Sequence, residues 1–120
     1  RSVMAERIKT DKAPAAIGPY SQAIVTGGLV FTSGQIPINP ESGNIEANDV
    51  VGQSEQVMKN LGEVLSAAGS SYEKAVKTTC FLADIADFAA LISFNSATRL
   101  DFTSISHFAL KRHIINLVFS

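Results

Sequence analysis

The chain has 120 residues, of which 46% are hydrophobic and 18% are charged, a composition that fits one core-forming domain and excludes a disordered chain. Ten basic against eleven acidic side chains give a net charge of −1, which does not favour nucleic-acid binding. One cysteine and two histidines exclude an intrachain disulfide and a cysteine-rich zinc site, and no apolar run reaches the roughly 18 residues of a membrane span.

The residues before the first predicted element are interpreted as a leader. Arg1-Ser2-Val3 precede Met4, and no apolar signal segment follows. We therefore expect a single domain over residues 1–120, in which residues 1–7 are a leader or added residues. The single thiol fits the cytoplasm, or a mitochondrial or plastid matrix if Arg1 is a processed terminus.

Residues 22–34 predict a β-hairpin. Apolar, β-branched runs at 23–26 and 29–32 are separated by Gly27 and Gly28, and glycine tolerates the positive φ that a tight turn needs. Residues 37–48 are rich in Pro, Asn, Ser and Gly and therefore predict a loop.

A helix and a strand follow the loop. Apolar residues at positions 57, 61, 64, 65 and 68 share one helical face. Asn48 or Asp49 can cap the start of this helix, and Gly69 can end it. Residues 75–83 alternate as a strand does.

The last part of the chain is less regular. Asp84 or Asp87 can begin a second helix, and the composition of Ile114–Phe119 favours a strand. The order of elements predicts an α+β domain with helices on one face of a sheet.

Four segments carry a resemblance to a known family. AAIGPYSQA at 15–23, VFTSGQIP at 30–37, QSEQVMKNL at 53–61 and VKTTCFLAD at 76–84, the last followed by Asp-Phe at 87–88, resemble the RidA/YjgF family. The similarity runs from about residue 8 to about residue 90. Several motifs in the same order and at the same spacing make it specific.

The resemblance implies a fold, an activity and an assembly. The fold is a chorismate-mutase-like mixed sheet with two helices packed on one face. The activity is hydrolysis of reactive enamines and imines (2-aminoacrylate, 2-iminopropanoate, 2-iminobutanoate) to 2-keto acids and ammonia, without a metal or organic cofactor. The family usually forms homotrimers whose sites lie between subunits. By the same resemblance, Tyr20, Ser33 and Gly34 bind the substrate.

Residues 91–120 depart from the family pattern. They contain neither glycine nor proline, they lack the family's Pro-Ala-Arg motif, and no glutamate follows Glu73. In the family that arginine holds the substrate carboxylate and a late glutamate activates water. Arg99 is the candidate to replace that arginine; the alternative is that Arg99 lies at a solvated end of the second helix. No catalytic residue is assigned.

Two other functions stay open. In the first, this domain keeps only half of the cleft and acts as a non-catalytic subunit that binds a small imine or 2-keto acid. The family also includes proteins described as endoribonucleases or translation inhibitors, although the net charge of this chain makes nucleic acid an unfavoured partner. No membrane partner is expected.

Overall fold

A computed structural model describes residues 5–82, 85–87, 89–90, 104–107 and 114–119. They include the α-helix Val50–Ala67 (α1), two helical residues at 89 and 90, and the six strands of one sheet. The strands are Ala5–Ile8 (β1), Ala23–Thr26 (β2), Leu29–Thr32 (β3), Ala75–Leu82 (β4), Ser104–His107 (β5) and Ile114–Phe119 (β6). Short 3₁₀ turns lie at Tyr72–Lys74 and Ile85–Asp87.

The strands lie in the order β1-β2-β3-β6-β4-β5. The β4–β5 pair is parallel and the other neighbours are antiparallel. The last strand therefore lies in the middle of the sheet and joins β3 to β4. This mixed sheet with α1 is the α+β architecture expected from the sequence, and the strand predicted at Ile114–Phe119 is confirmed.

The predicted hairpin is present as β2 and β3. Val25 pairs with Val30 and Thr26 with Leu29. Gly27 and Gly28 have φ values of 58° and 76°, the positive values that a two-residue hairpin turn of this kind requires at both central positions.

Both ends of α1 match the sequence prediction. The Asp49 carboxylate accepts a hydrogen bond from the Gly52 N–H at 3.1 Å, which satisfies one of the unpaired amides at the helix start. Gly69 follows the helix with a φ of 76°, and the Ser70 N–H donates to the Leu65 carbonyl at 2.9 Å. A left-handed glycine after the last turn lets the chain reverse and bond the free carbonyls.

The core joins one face of α1 to the first three strands. Val57, Leu61 and Val64 are fully buried in it. They cluster with Ile8 of β1, Ala23 of β2 and Val30 of β3, among other residues. Burial of large aliphatic side chains of this kind stabilises by roughly 1.5–3 kcal/mol each, so this cluster holds the helix against β1, β2 and β3.

Strand β1 lies in a segment for which the sequence predicted no element. The sequence pattern assigns residues 5–7 to the leader, yet they belong to a strand that pairs with β2, with Ala5 opposite Thr26 and Ile8 opposite Ala23. Four residues with two charges, AERI, carry almost no apolar alternation, and only Ile8 enters the core. Pairing at the edge of the sheet therefore overrides a weak local pattern.

The second predicted helix is only partly described. Ala89 and Ala90 are helical, and the Ile85–Asp87 turn precedes them. The remaining positions of that helix lie outside the described residues.

Candidate functional site

One cleft is lined by all three residues that the family resemblance assigns to substrate binding. Tyr20, Ser33 and Gly34 border a space of about 390 Å³ between the Pro14–Gln22 segment and the loop after β3. We call it the Tyr20–Ser33 cleft. The described residues that line it carry no charged side chain, so binding there relies on hydrogen bonds and apolar contact.

Tyr20 is presented by a tight turn. Gly18 has a φ of 130°, a value that favours glycine, and the Tyr20 N–H donates to the Gly18 carbonyl at 2.9 Å. The Tyr20 hydroxyl oxygen accepts a hydrogen bond from the Ile17 N–H at 3.3 Å. The side chain is 52% exposed, and the phenolic hydrogen remains able to donate to a ligand.

Ser33 is held at the end of β3. Its N–H and its hydroxyl both donate to the Gln22 carbonyl, at 3.0 and 3.1 Å. The hydroxyl hydrogen is therefore engaged, and the oxygen presents lone pairs that can accept a hydrogen bond. Gly34, the next residue, has no side chain and leaves its backbone open to close approach.

The Gln22 side chain ties the Tyr20 segment to the sheet. It is buried, at 4% exposure. Its Oε1 accepts from the Thr10 N–H at 2.7 Å, and its Nε2 donates to the carbonyls of Thr10 and Pro14 at 3.1 and 2.9 Å. The Gln22 carbonyl also accepts from Ser33. Gln22 therefore connects residues 10–14 to the end of β3.

Asn60 fixes the opposite wall. This fully buried residue of α1 donates from Nδ2 to the carbonyls of Ile36 and Ile38 at 3.1 and 2.8 Å. Its Oδ1 accepts from Gln56 Nε2 at 2.8 Å. Ile36 and Ile38 line the cleft, so the helix sets the position of that wall.

The sequence does not assign Gln22 or Asn60 to the site. Both lie within the family motifs quoted above, but the backbone carbonyls to which their side chains donate are 8 to 24 residues away, and no local pattern reports such contacts. For Asn60 the available signal is its position on the apolar helical face of residues 57, 61 and 64, because a polar side chain on a buried face needs a specific partner.

Arg99 lies outside the described residues, so the structure does not place it relative to the cleft. No cluster of metal-ligating side chains occurs in the part of the chain that is described. Within that part there is also no helix both long and apolar enough to cross a membrane.

The sequence and the fold both match known proteins. Residues 10–99 match the family described as Endoribonuclease L-PSP. Reactive Intermediate Deaminase A, chloroplastic, of Arabidopsis thaliana is 54% identical over 87 residues, which are 72% of this chain and 46% of that protein. The 2-iminobutanoate/2-iminopropanoate deaminase of Mus musculus is 47% identical over 90 residues, 75% of this chain and 67% of that protein.

A solved structure extends the match to the whole fold. The Rid-family protein YyfA of Yersinia pestis superimposes with a TM-score of 0.90 at 36% identity, covering 97% of this chain and 98% of that one. The chain spans less than half of the Arabidopsis relative but nearly all of this bacterial one. By its motifs, its sheet order and these matches, the chain belongs to the RidA/YjgF family of Endoribonuclease L-PSP proteins.

Proposed function

We propose that this protein hydrolyses small enamines and imines of 2-keto acids, such as 2-aminoacrylate, 2-iminopropanoate and 2-iminobutanoate. The observation that carries the proposal is the meeting of Tyr20, Ser33 and Gly34 in one cleft. The names of the Arabidopsis and mouse relatives support the substrate class.

Hydrolysis of the imine needs water and two proton transfers. An enamine is first converted to the imine, when a proton moves from its nitrogen to the far carbon of its C=C bond. The water oxygen then bonds to the imine carbon, the C–N bond breaks, and the imine nitrogen takes both protons of that water to leave as ammonia, so that the carbon becomes the keto carbon. The Ser33 oxygen accepts from the imine N–H. The Tyr20 hydroxyl donates to the substrate, because its oxygen accepts from the Ile17 N–H and its hydrogen is left to donate.

The substrate carboxylate needs a partner from outside the described lining of the cleft, which is uncharged. A guanidinium binds both carboxylate oxygens at once, and we propose that a second copy of the chain completes the site in a homotrimer. The exposure of Ile17 at 87% and of Phe31 at 42% supports this assembly, because such apolar side chains gain from being covered. We expect the protein in the cytoplasm or in an organelle matrix.

A non-catalytic binding subunit is the second candidate. It is favoured by residues 91–120, which carry no Pro-Ala-Arg motif and no glutamate. Without an activating base an enzyme loses about 10²–10⁴-fold in rate.

The decisive experiment measures imine hydrolysis. The 2-iminopropanoate is generated in situ, and pyruvate and ammonia are followed with and without the protein. We expect acceleration over the spontaneous rate, and about a tenfold or greater loss in Tyr20→Phe, because one hydrogen bond to the transition state is removed.

The chain offers a matched control. Tyr72 is the other tyrosine, and its hydroxyl donates to the Met58 carbonyl on α1, away from the cleft. Tyr72→Phe removes the same group and leaves the rate unchanged. A sample that elutes at three times the 12.7 kDa chain mass and binds a 2-keto acid without turnover favours the binding subunit.

A further inference from the structure

A second cleft also has Tyr20 in its lining. It has a volume of about 450 Å³, and its polar lining includes Arg7, Lys9, Thr10 and Ser21. We call it the Arg7 cleft. The two clefts are neighbours that share Ala15, Tyr20, Gln22 and Pro40, but Ser33 and Gly34 line only the Tyr20–Ser33 cleft, and Arg7 and Lys9 line only this one.

Arg7 and Lys9 both line this cleft and lie on the same side of the chain. Arg7 lies in β1 opposite Ile24, and Lys9 follows two positions later. Side chains two residues apart point to the same face of an extended chain. The intervening Ile8 is buried in the core, so Arg7 and Lys9 share the outer face.

The positive charge of this cleft exceeds its negative charge. Asp11 is the one acidic residue of its described lining, against the two cations Arg7 and Lys9. A guanidinium and an ammonium that share a cleft with only one carboxylate leave a net positive charge there, and this charge favours the binding of an anion.

The wall of the cleft is already ordered. Gln22 holds the Thr10 backbone from both sides, at its N–H and at its carbonyl. The Thr10 hydroxyl oxygen accepts from the Lys12 N–H at 3.2 Å, which leaves the hydroxyl hydrogen able to donate to an anion. Little ordering entropy is therefore lost when a ligand binds.

We propose that the Arg7 cleft binds a small oxyanion, a carboxylate or a phosphate, held by Arg7 and Lys9 with the Thr10 and Ser21 hydroxyls as further donors. This site is independent of the imine chemistry. Charged side chains also protect the edge strand of a sheet from pairing with another sheet, but that role predicts no saturable binding.

The test is a nuclear magnetic resonance titration of the ¹⁵N-labelled full chain with inorganic phosphate and, separately, with acetate. Ionic strength is held constant with chloride. We expect saturable shifts at the Arg7 Nε–H and at the Thr10 and Ser21 amides. The anion whose titration curve saturates shows whether the site binds a phosphate or a carboxylate.

Three variants decide the origin of the shifts. Arg7→Gln and Lys9→Gln each weaken binding by about tenfold or more, because a charged hydrogen bond is lost. Lys12→Gln removes the same charge from a residue that lines a different cleft and leaves the affinity unchanged. Shifts that do not saturate, or an equal loss in Lys12→Gln, overturn the proposal in favour of diffuse charge at the sheet edge.

Discussion

Replacing Asn60 by alanine tests whether α1 positions the cleft wall. The side chain is fully buried, and it makes three hydrogen bonds, two to the carbonyls of Ile36 and Ile38 and one from Gln56. Alanine removes all three. The Ile36 carbonyl keeps a second partner, the Ile38 N–H at 2.8 Å.

The expected loss follows from these contacts. A buried hydrogen bond contributes roughly 1 kcal/mol net, so three give about 3 kcal/mol. With a urea m-value of about 1–3 kcal/mol per molar, the midpoint of urea unfolding falls by roughly 1–3 M. The cleft wall at Ile36 and Ile38 also loses its attachment to the helix.

Equilibrium urea unfolding followed by circular dichroism measures this loss. Gln56→Ala removes one of the three bonds and costs about 1 kcal/mol or less. Asn44→Ala is the matched control, because Asn44 bonds only within its exposed loop and its loss costs below about 0.5 kcal/mol. If Asn60→Ala costs no more than Asn44→Ala, the reasoning on the cleft wall is refuted.

Two further predictions concern Gly62 and Glu46. Gly62→Ala destabilises the protein, because the added Cβ would meet the Tyr72 hydroxyl, although alanine is preferred to glycine in a helix by about 1 kcal/mol. In a Tyr72→Ala background the same change stabilises the protein. A double-mutant cycle by urea unfolding measures this reversal. Hydrogen bonds from Ser42 and Asn39 hold the pKa of Glu46 below its ordinary value of 4.5. The ionised Glu46 carboxylate therefore stabilises the folded loop. This stabilisation is fully present above pH 4.5 and is lost as the pH falls through the lower pKa that Glu46 has in the folded protein. Amide exchange in the loop measures it, and Glu46→Gln should abolish the dependence.

Elements with a strong local pattern were predictable, and contacts between distant segments were not. The hairpin depends on Gly27-Gly28 and α1 on its apolar face and on Asp49, all of which are local signals. Strand β1 was missed because its pairing to β2, not its sequence, makes it a strand. The walls of the cleft depend on Gln22, whose bonds reach up to 12 residues along the chain, and on Asn60, whose bonds reach 24.

The site residues themselves came from resemblance. Tyr20, Ser33 and Gly34 are separated by up to 14 positions, and no spacing rule brings them together. The β2–β3 hairpin does so, since it returns Ser33 to the Gln22 carbonyl. Their role in binding substrate stays a prediction until the imine assay is done.

The central position of β6 bears on how the protein folds during synthesis. Val30 and Phe31 of β3 pair with Phe119 and Val118, and the other edge of β6 pairs with β4. At roughly 5–20 residues per second, the ribosome adds β6 about 2–7 s after β4 is complete. Until then the edges of β3 and β4 lack their shared neighbour and are open to pairing with other nascent chains. The sheet is therefore complete only after β6 has been made. A chaperone that shields the edges of β3 and β4 would raise the yield of folded protein more than one that binds the finished domain.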